Sequence, residues 1–258
     1  MKLDTHTHTS EGSPDGIVSI RKTIQTLIEK EYDGMIVTDH NSYQGYKEIS
    51  GVEFEDFVVL KGIEYDTKDA GHMLIVLPSD IDVDIFTHKG MLAKDTIKIV
   101  HSLGGIIGPA HPFDYCKLGM LNNIRWLANL DIMSEFDFIE GFNSCGTLAG
   151  NNKSKLIAKA FNKPVLGGSD SHKLASVGKG YTVLPEKVKT ETEFIELMTS
   201  LHYGDTEASG EYFTGALQNK LGKIYNVGVN MFFFAGLLSG HFSAKKALAE
   251  AVSLRLIW

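Results

Sequence analysis

Cysteine is scarce in this chain of 258 residues: Cys116 and Cys145 are the two present, they lack CxxC spacing, and such usage fits a reducing compartment. Positive charge is also in short supply. Lysine and arginine total 25 against 32 acidic residues, a formal net charge of -7. A sequence-independent grip on a long duplex needs a basic face, so no long duplex nucleic acid is expected as a partner. Small anionic substrates stay open, because bound metal cations can supply local positive charge. A strongly apolar stretch at 227–238 is interrupted by Asn230. It is shorter than the roughly 20 residues that cross a bilayer, so no membrane span is expected. A buried helix is the reading there, with an interfacial contact or a dimer surface as alternatives. The chain opens directly into a strand with no basic and apolar leader before it, and a cytoplasmic protein is expected. Hydrophobic content of 43% and charged content of 22% are those of a soluble globular chain. Internal repeats and low-complexity tracts are missing as well.

What is present is alternation. Short β-rich apolar runs fall at 34–38, 57–63, 73–77, 106–110, 138–139, 164–168 and 181–184. Helical spacing separates many of them, at 17–30, 89–103, 121–130, 153–161 and 191–201. The pattern predicts an α/β fold in which a parallel sheet closes, or nearly closes, into a barrel.

The first strand ends in Asp4-Thr5-His6-Thr7-His8. Residues i and i+2 of a strand share a side, so His6 and His8 aim both imidazoles at one point. Neutral imidazole is the commonest protein metal ligand. An isolated HxH on a surface strand binds nothing; here the arrangement recurs at strand after strand. His40, His72, His111 and His172 also lie at strand ends or in adjoining loops, together with Glu64 and Asp170. The carboxyl ends of barrel strands face one mouth, where such groups would meet. His88, His101, His202 and His241 read as surface or packing residues. Asp4 and Asp39 read equally well as groups that orient histidines or as strand-end and turn residues.

The ordered motifs Asp4-Thr5-His6-Thr7-His8, Thr38-Asp39-His40, Gly62-Ile63-Glu64, Gly71-His72, Ala110-His111-Pro112 and Gly168-Ser169-Asp170-Ser171-His172 resemble those of the PHP (polymerase and histidinol phosphatase) family. The resemblance covers about residues 1–185 and is nearest to the stand-alone bacterial phosphoesterases. It implies a distorted seven-stranded (β/α) barrel over 1–185; beyond it, helical spacing suggests a mainly helical C-terminal extension over 186–258, packed on the barrel. It also implies a cluster of two or three divalent metal ions. The first would be held by His6, His8, Glu64 and Asp170, and the second by a bridging Glu64 with His72 and His111. A third would use His40, His172 and an acidic residue from the loop after His8. That loop departs from the family pattern; Asp15 is the choice there and Glu11 the alternative. The nitrogen and oxygen donor set suits Mn²⁺, Zn²⁺ or Fe²⁺.

The activity implied is hydrolysis of a phosphomonoester or terminal phosphodiester of a small nucleotide or short oligonucleotide. A hydroxide bridging two cations would attack, with Glu64, Asp170 and His172 as catalytic residues and His172 assisting the leaving alkoxide. Histidinol phosphate is the rival substrate, and a non-catalytic metal-binding regulatory module the rival role. A metal-dependent amidohydrolase is disfavoured by the missing lysine at a fourth strand end. Ser169, Asp170 and His172 are too close in one loop to form a nucleophilic triad, and no GxSxG elbow is present. Lys68, Lys117, Arg125 and Lys173 are candidate phosphate contacts, each weighed against a solvated surface charge. Phe113, Tyr115, Asn143 and Ser144 could line a pocket, while Cys116 and Cys145 read as small buried residues.

Overall fold

The computed structural model describes residues 1–114 and 119–213. The expectations for Tyr115, Cys116 and Lys117, and for the apolar stretch and helix near the carboxyl terminus, lie outside these residues. The first half of the chain runs β1 (Lys2–Thr7), α1 (Ile20–Glu29), β2 (Gly34–Val37), α2 (Gln44–Lys47), β3 (Val58–Asp66), β4 (His72–Val76), α3 (Ala93–Ser102) and β5 (Ile106–Pro109). The second half adds α4 (Ile124–Leu127), β6 (Ile139–Asn143), α5 (Leu148–Ala160), β7 (Val165–Gly168), β8 (Gly180–Val183), α6 (Glu191–Ser200) and β9 (Glu207–Gly210).

Seven strands form one curled sheet in the order β5-β4-β3-β2-β1-β8-β9, while β6 and β7 pair separately. The expected parallel sheet is therefore corrected to a mixed one. Strands β1, β2 and β3 are parallel, but β4 runs antiparallel to both β3 and β5, and β8 runs antiparallel to β1 and β9. The reason lies in the connection between β3 and β4. Residues 67–71 close a hairpin, with Thr67 N–H donating to the Gly71 carbonyl at 2.9 Å. A parallel return needs a crossover of a dozen or more residues, which that segment cannot supply.

The helix expected over 121–130 breaks into short pieces: the four-residue α4 lies between 3-10 turns at Met120–Asn122 and Leu130–Glu135. The Asn123 side chain accepts from Arg125 N–H at 3.0 Å, a local bond that ends one turn and starts the next. Helix α1 behaves as its spacing predicts, burying Ile20, Ile24 and Leu27. Ser19 caps it, and the Glu11 carboxylate accepts Ile20 N–H at 3.1 Å, negative charge on a helix amino end.

Alternate residues from successive strands meet in one core: Leu3, Ile36, Leu60, Leu74, Ile106 and Leu166. Full burial of each such side chain stabilises by about 1.5–3 kcal/mol. Phe194 and Met198 of α6 close this cluster near Leu184, on the side away from the histidine-bearing strand ends. At those ends β7 crosses close to β1. A Cβ on Gly168 would stand 2.4 Å from His6 Cβ, so only glycine lets β7 approach there. Asp170 N–H then donates to the His6 carbonyl at 2.7 Å, and His8 N–H to the Ser171 carbonyl at 3.1 Å. These bonds bring Asp170 beside His6 and His8. Among the described residues, no helix is long and apolar enough to cross a membrane.

Candidate metal centre

Glu64 is the hub. It lies on β3 with 1% exposure, and each carboxylate oxygen faces a different set of imidazoles. Oε2 stands 3.4 Å from His6 Nε2, 3.2 Å from His8 Nε2 and 3.1 Å from His40 Nδ1. Oε1 stands 3.0 Å from both His72 Nδ1 and His111 Nε2. Asp170 joins from the end of β7, with Oδ1 3.4 Å from His8 Nε2 and 3.8 Å from His6 Nε2. On the open side, Asp15 Oδ2 lies 3.1 Å from His172 Nε2 and 3.8 Å from His40 Nε2. All nine residues expected at the site thus come together at one rim. Glu11, the alternative to Asp15, is instead engaged at the start of α1.

The donor set fits divalent cations. Ligand atoms about 2.1 Å from a shared ion stand about 3.4 Å apart in a tetrahedron and about 3.0 Å apart in an octahedron. The separations around Glu64 and Asp170 fall near that range. His6 Nε2 and His8 Nε2 face each other at 3.2 Å, a separation that a shared proton or a cation between them would satisfy. Glu64 Oε2, His40 Nδ1 and Asp66 Oδ1 are buried without a hydrogen-bond partner among the described residues. Buried polar atoms are rarely left so, and an ion would satisfy all three. Among the described residues, four triads have ligand atoms mutually within 4.8 Å: His6, His8 and Asp170; His6, Glu64 and His111; His8, His40 and His172; and His40, Asp66 and His72.

The electrostatics point the same way. Burial opposes charge on His6, yet Glu140 and Glu64 outweigh it and hold its pKa up at about 10. His40 behaves alike: burial lowers and Glu64, then Asp66, raise it, to about 9. Burial also resists ionisation of Glu64, but His72, His6 and His40 overcome it and hold the carboxyl well below its usual range. The carboxylates thus draw protons onto His6 and His40, whereas burial lowers His8 and His72 and keeps them neutral donors; the same negative charge draws cations.

A ring of supporting groups fixes the rotamers. Asp39 accepts from Thr9 N–H at 2.6 Å and from the Ser13 hydroxyl at 2.9 Å, and Ser13 Oγ lies 3.0 Å from His8 Nδ1. Asp39 therefore acts on His8 through Ser13. Asp4 instead accepts from Ser169 N–H at 2.8 Å and ties β1 to the β7 loop; burial pushes its carboxyl up to about 6. Two carboxylates escaped the sequence reading. Glu140, at the start of β6, lies 2.8 Å from His6 Nδ1 and accepts the His111 N–H. Asp66 ends β3 two residues after Glu64, the same alternation that marks His6 and His8, and that repeat was the available signal.

The other candidates are placed less favourably. Asn143 is no pocket wall: its amide donates to Asp170 Oδ2 at 2.9 Å and to Glu140. Ser144 is buried and donates to the Ser169 carbonyl. Arg125 lies against Asp69 at 3.7 Å and over the Trp126 ring. Lys173 is exposed, Lys68 is half-buried, and Phe113 packs on the core. The half-buried Cys145 places Sγ 3.5 Å from the Asp170 carbonyl.

Comparison with known proteins adds a local family match and a shared fold. The family described as PHP-associated (PHP_C) matches residues 149–200. The DNA polymerase/3'-5' exonuclease PolX of Bacillus subtilis is 32% identical over 117 residues, 40% of this chain and 18% of PolX. A two-domain protein of Bacteroides vulgatus, containing a predicted PHP-like metal-dependent phosphoesterase, superposes with a TM-score of 0.60 at 16% identity. That match covers 82% of this chain and 65% of the other. Endonuclease Q, in complex with a 27-mer duplex substrate with an abasic lesion at the active site, superposes with a TM-score of 0.56 at 16% identity. It covers 80% of this chain and 57% of Endonuclease Q. The chain spans less than two thirds of each of these three proteins.

Fold and rim define a mixed α/β protein built around a cluster of metal-ligating side chains. More particularly, residues 149–200 match the PHP-associated family, and the fold resembles that of a protein containing a PHP-like phosphoesterase. One expectation is overturned at this point. Net negative charge was taken to exclude a long duplex, yet Endonuclease Q, which shares the fold, carries a 27-mer duplex. The charge summed over a whole chain does not set the potential at one rim, where bound cations are the largest local charges.

Proposed function

We propose that this chain is a metal-dependent phosphoesterase, acting on a phosphomonoester or terminal phosphodiester of a small nucleotide or short oligonucleotide. The observation that carries the reading is Glu64, whose two oxygens are shared between two sets of imidazoles. Two or three ions of Mn²⁺, Zn²⁺ or Fe²⁺ fit this donor set. His6, His8, Glu64 and Asp170 would hold one, Glu64, His72 and His111 a second, and Asp15, His40 and His172 a third. When bound, such ions lower the pKa of water toward 7 and neutralise developing charge on phosphoryl oxygens.

The protein's own groups do the rest. Asn143 holds Asp170 by its Oδ2, leaving Oδ1 directed at His6 and His8. His172 stands at the half-open edge with Asp15 3.1 Å from its Nε2; with two ions bound it is placed to protonate a leaving alkoxide, a role that a third ion there would take over. Names of relatives favour nucleotide chemistry over histidinol phosphate: PolX is a polymerase and exonuclease, and Endonuclease Q is solved on DNA. The curled sheet supports a finer reading as a distorted barrel of β1–β7. Asp137 N–H donates to the Ile107 carbonyl, bridging β5 to the entry of β6, and β7 bonds to β1 through Asp170. We read 1–185 as that barrel and 186–258 as an extension packed on it, beginning with α6.

The test is phosphate release by the Mn²⁺-loaded protein from nucleotides, short oligonucleotides and histidinol phosphate. Turnover on the first two supports the proposal; release from histidinol phosphate alone transfers it to the rival substrate. A protein that takes up Mn²⁺ but hydrolyses none of them would be the non-catalytic module. Glu140 provides a further check, because it orients His6 through Nδ1 without facing the rim. Glu140→Gln is expected to weaken metal affinity by about 10–100-fold with the fold intact. Isothermal titration with Mn²⁺ reads this directly, and unchanged affinity would remove Glu140 from the site.

A further inference from the structure

Asp66 is buried at 5% exposure, yet its Oδ1 has no hydrogen-bond partner among the described residues. That oxygen stands 3.6 Å from His40 Nδ1 and 3.5 Å from His72 Nε2. Both separations are long for a hydrogen bond. They match the spacing of about 3.4 Å expected between atoms that share one tetrahedral ion at about 2.1 Å. We propose that Asp66 is itself a metal ligand and that, with His40 and His72, it forms a cation position on the flank of Glu64. This rests on the reading of the rim as a metal centre, and it departs from the ligand sets that the family resemblance implies, none of which includes Asp66.

Three features support the assignment. The other oxygen, Oδ2, faces Lys89 Nζ at 3.9 Å, while Oδ1 stays directed at the imidazoles. The backbone is pinned as well: Asp66 N–H donates to Asn41 Oδ1 at 3.0 Å, and Asn41 N–H to the Glu64 carbonyl at 2.9 Å. Asn41 follows His40 directly and holds φ at 50°, a left-handed conformation that asparagine tolerates better than most residues. Those bonds lock the His40 loop against the end of β3, so His40 and Asp66 keep their separation without an ion. A site preorganised in this way loses little on binding. In this assignment His72 would keep its proton on Nδ1, toward Glu64 at 3.0 Å, and offer Nε2 to the ion beside Asp66, in place of a role on the second ion.

The experiment is Mn²⁺ stoichiometry and affinity for the full chain and for Asp66→Asn, by calorimetric titration and by electron paramagnetic resonance of the bound ion. The variant is expected to bind one equivalent fewer, or to bind its weakest equivalent at least about tenfold less tightly. Stoichiometry and affinities equal to the parent overturn the proposal. Anomalous scattering from Mn²⁺-soaked crystals of the unaltered protein gives an answer independent of whether the variant folds. A peak within bonding distance of Asp66, His40 and His72 supports the assignment, and peaks elsewhere on the rim without one there overturn it. Failure of the wider reading looks different: the unaltered protein would then take up no Mn²⁺ at all.

Discussion

Glu64→Gln is expected to lower metal-dependent kcat/KM by more than about 100-fold, beyond the 10–100-fold typical of residues that only orient ligands. The substitution keeps the shape of the side chain and removes its charge. It also replaces one acceptor oxygen by an amide that must face imidazole nitrogens now 3.0–3.4 Å away. Five histidines approach this one carboxylate: His6, His8, His40, His72 and His111. Asp66 reaches one histidine of each set, His40 and His72, but at the longer separations of 3.6 and 3.5 Å. The measurement is steady-state hydrolysis with Mn²⁺ on whichever ester the screen identifies, with metal content determined in parallel. A variant that keeps its metals and stays within tenfold of the parent would show that Glu64 is not the bridging group.

Removing the cations is expected to cost stability as well as activity. The rim buries Glu64, Glu140, Asp66 and Asp170 with four imidazoles, and without ions their charges are balanced by protons on those imidazoles and, at Asp66, by Lys89 3.9 Å away. An ion present at a hundred times its dissociation constant stabilises by about 2.7 kcal/mol. For a chain of this size that corresponds to a shift in Tm of about 5–10 °C. Calorimetry with and without a chelator, followed by Mn²⁺ add-back, measures it. Add-back should restore Tm in the parent and restore less of it in Asp170→Asn, which loses a ligand to the ion between His6 and His8. An unchanged Tm on chelation would mean that the cluster holds no structural ion, whatever its shape.

How much of this was legible beforehand differs from residue to residue. His6 and His8 could be read because two-residue spacing on a strand sends both side chains to one side. His111 and Asp170 could be placed because each ends a short apolar run, although the left-handed φ of 29° and 51° that aims them could not. Glu140 was hidden. A single glutamate in a buried strand has no periodic partner, and its purpose shows only once β1 delivers His6 Nδ1 to within 2.8 Å. The antiparallel course of β4 was missed because the apolar run looks the same in either direction, and the short connection at 67–71 was the clue to its reversal.

Taken alone, the amino-acid order determined which residues carry ligating atoms, which of them end strands, and which neighbours share a side, because backbone geometry within a strand is local. Only the tertiary structure decided which imidazole nitrogen meets which carboxylate oxygen, that Asp15 and not Glu11 reaches His172, and that Asp66 stands between two histidines. Those choices depend on the curl of the sheet and on where β7 crosses β1, distances set by packing between segments far apart in the chain, on which no local spacing has any hold.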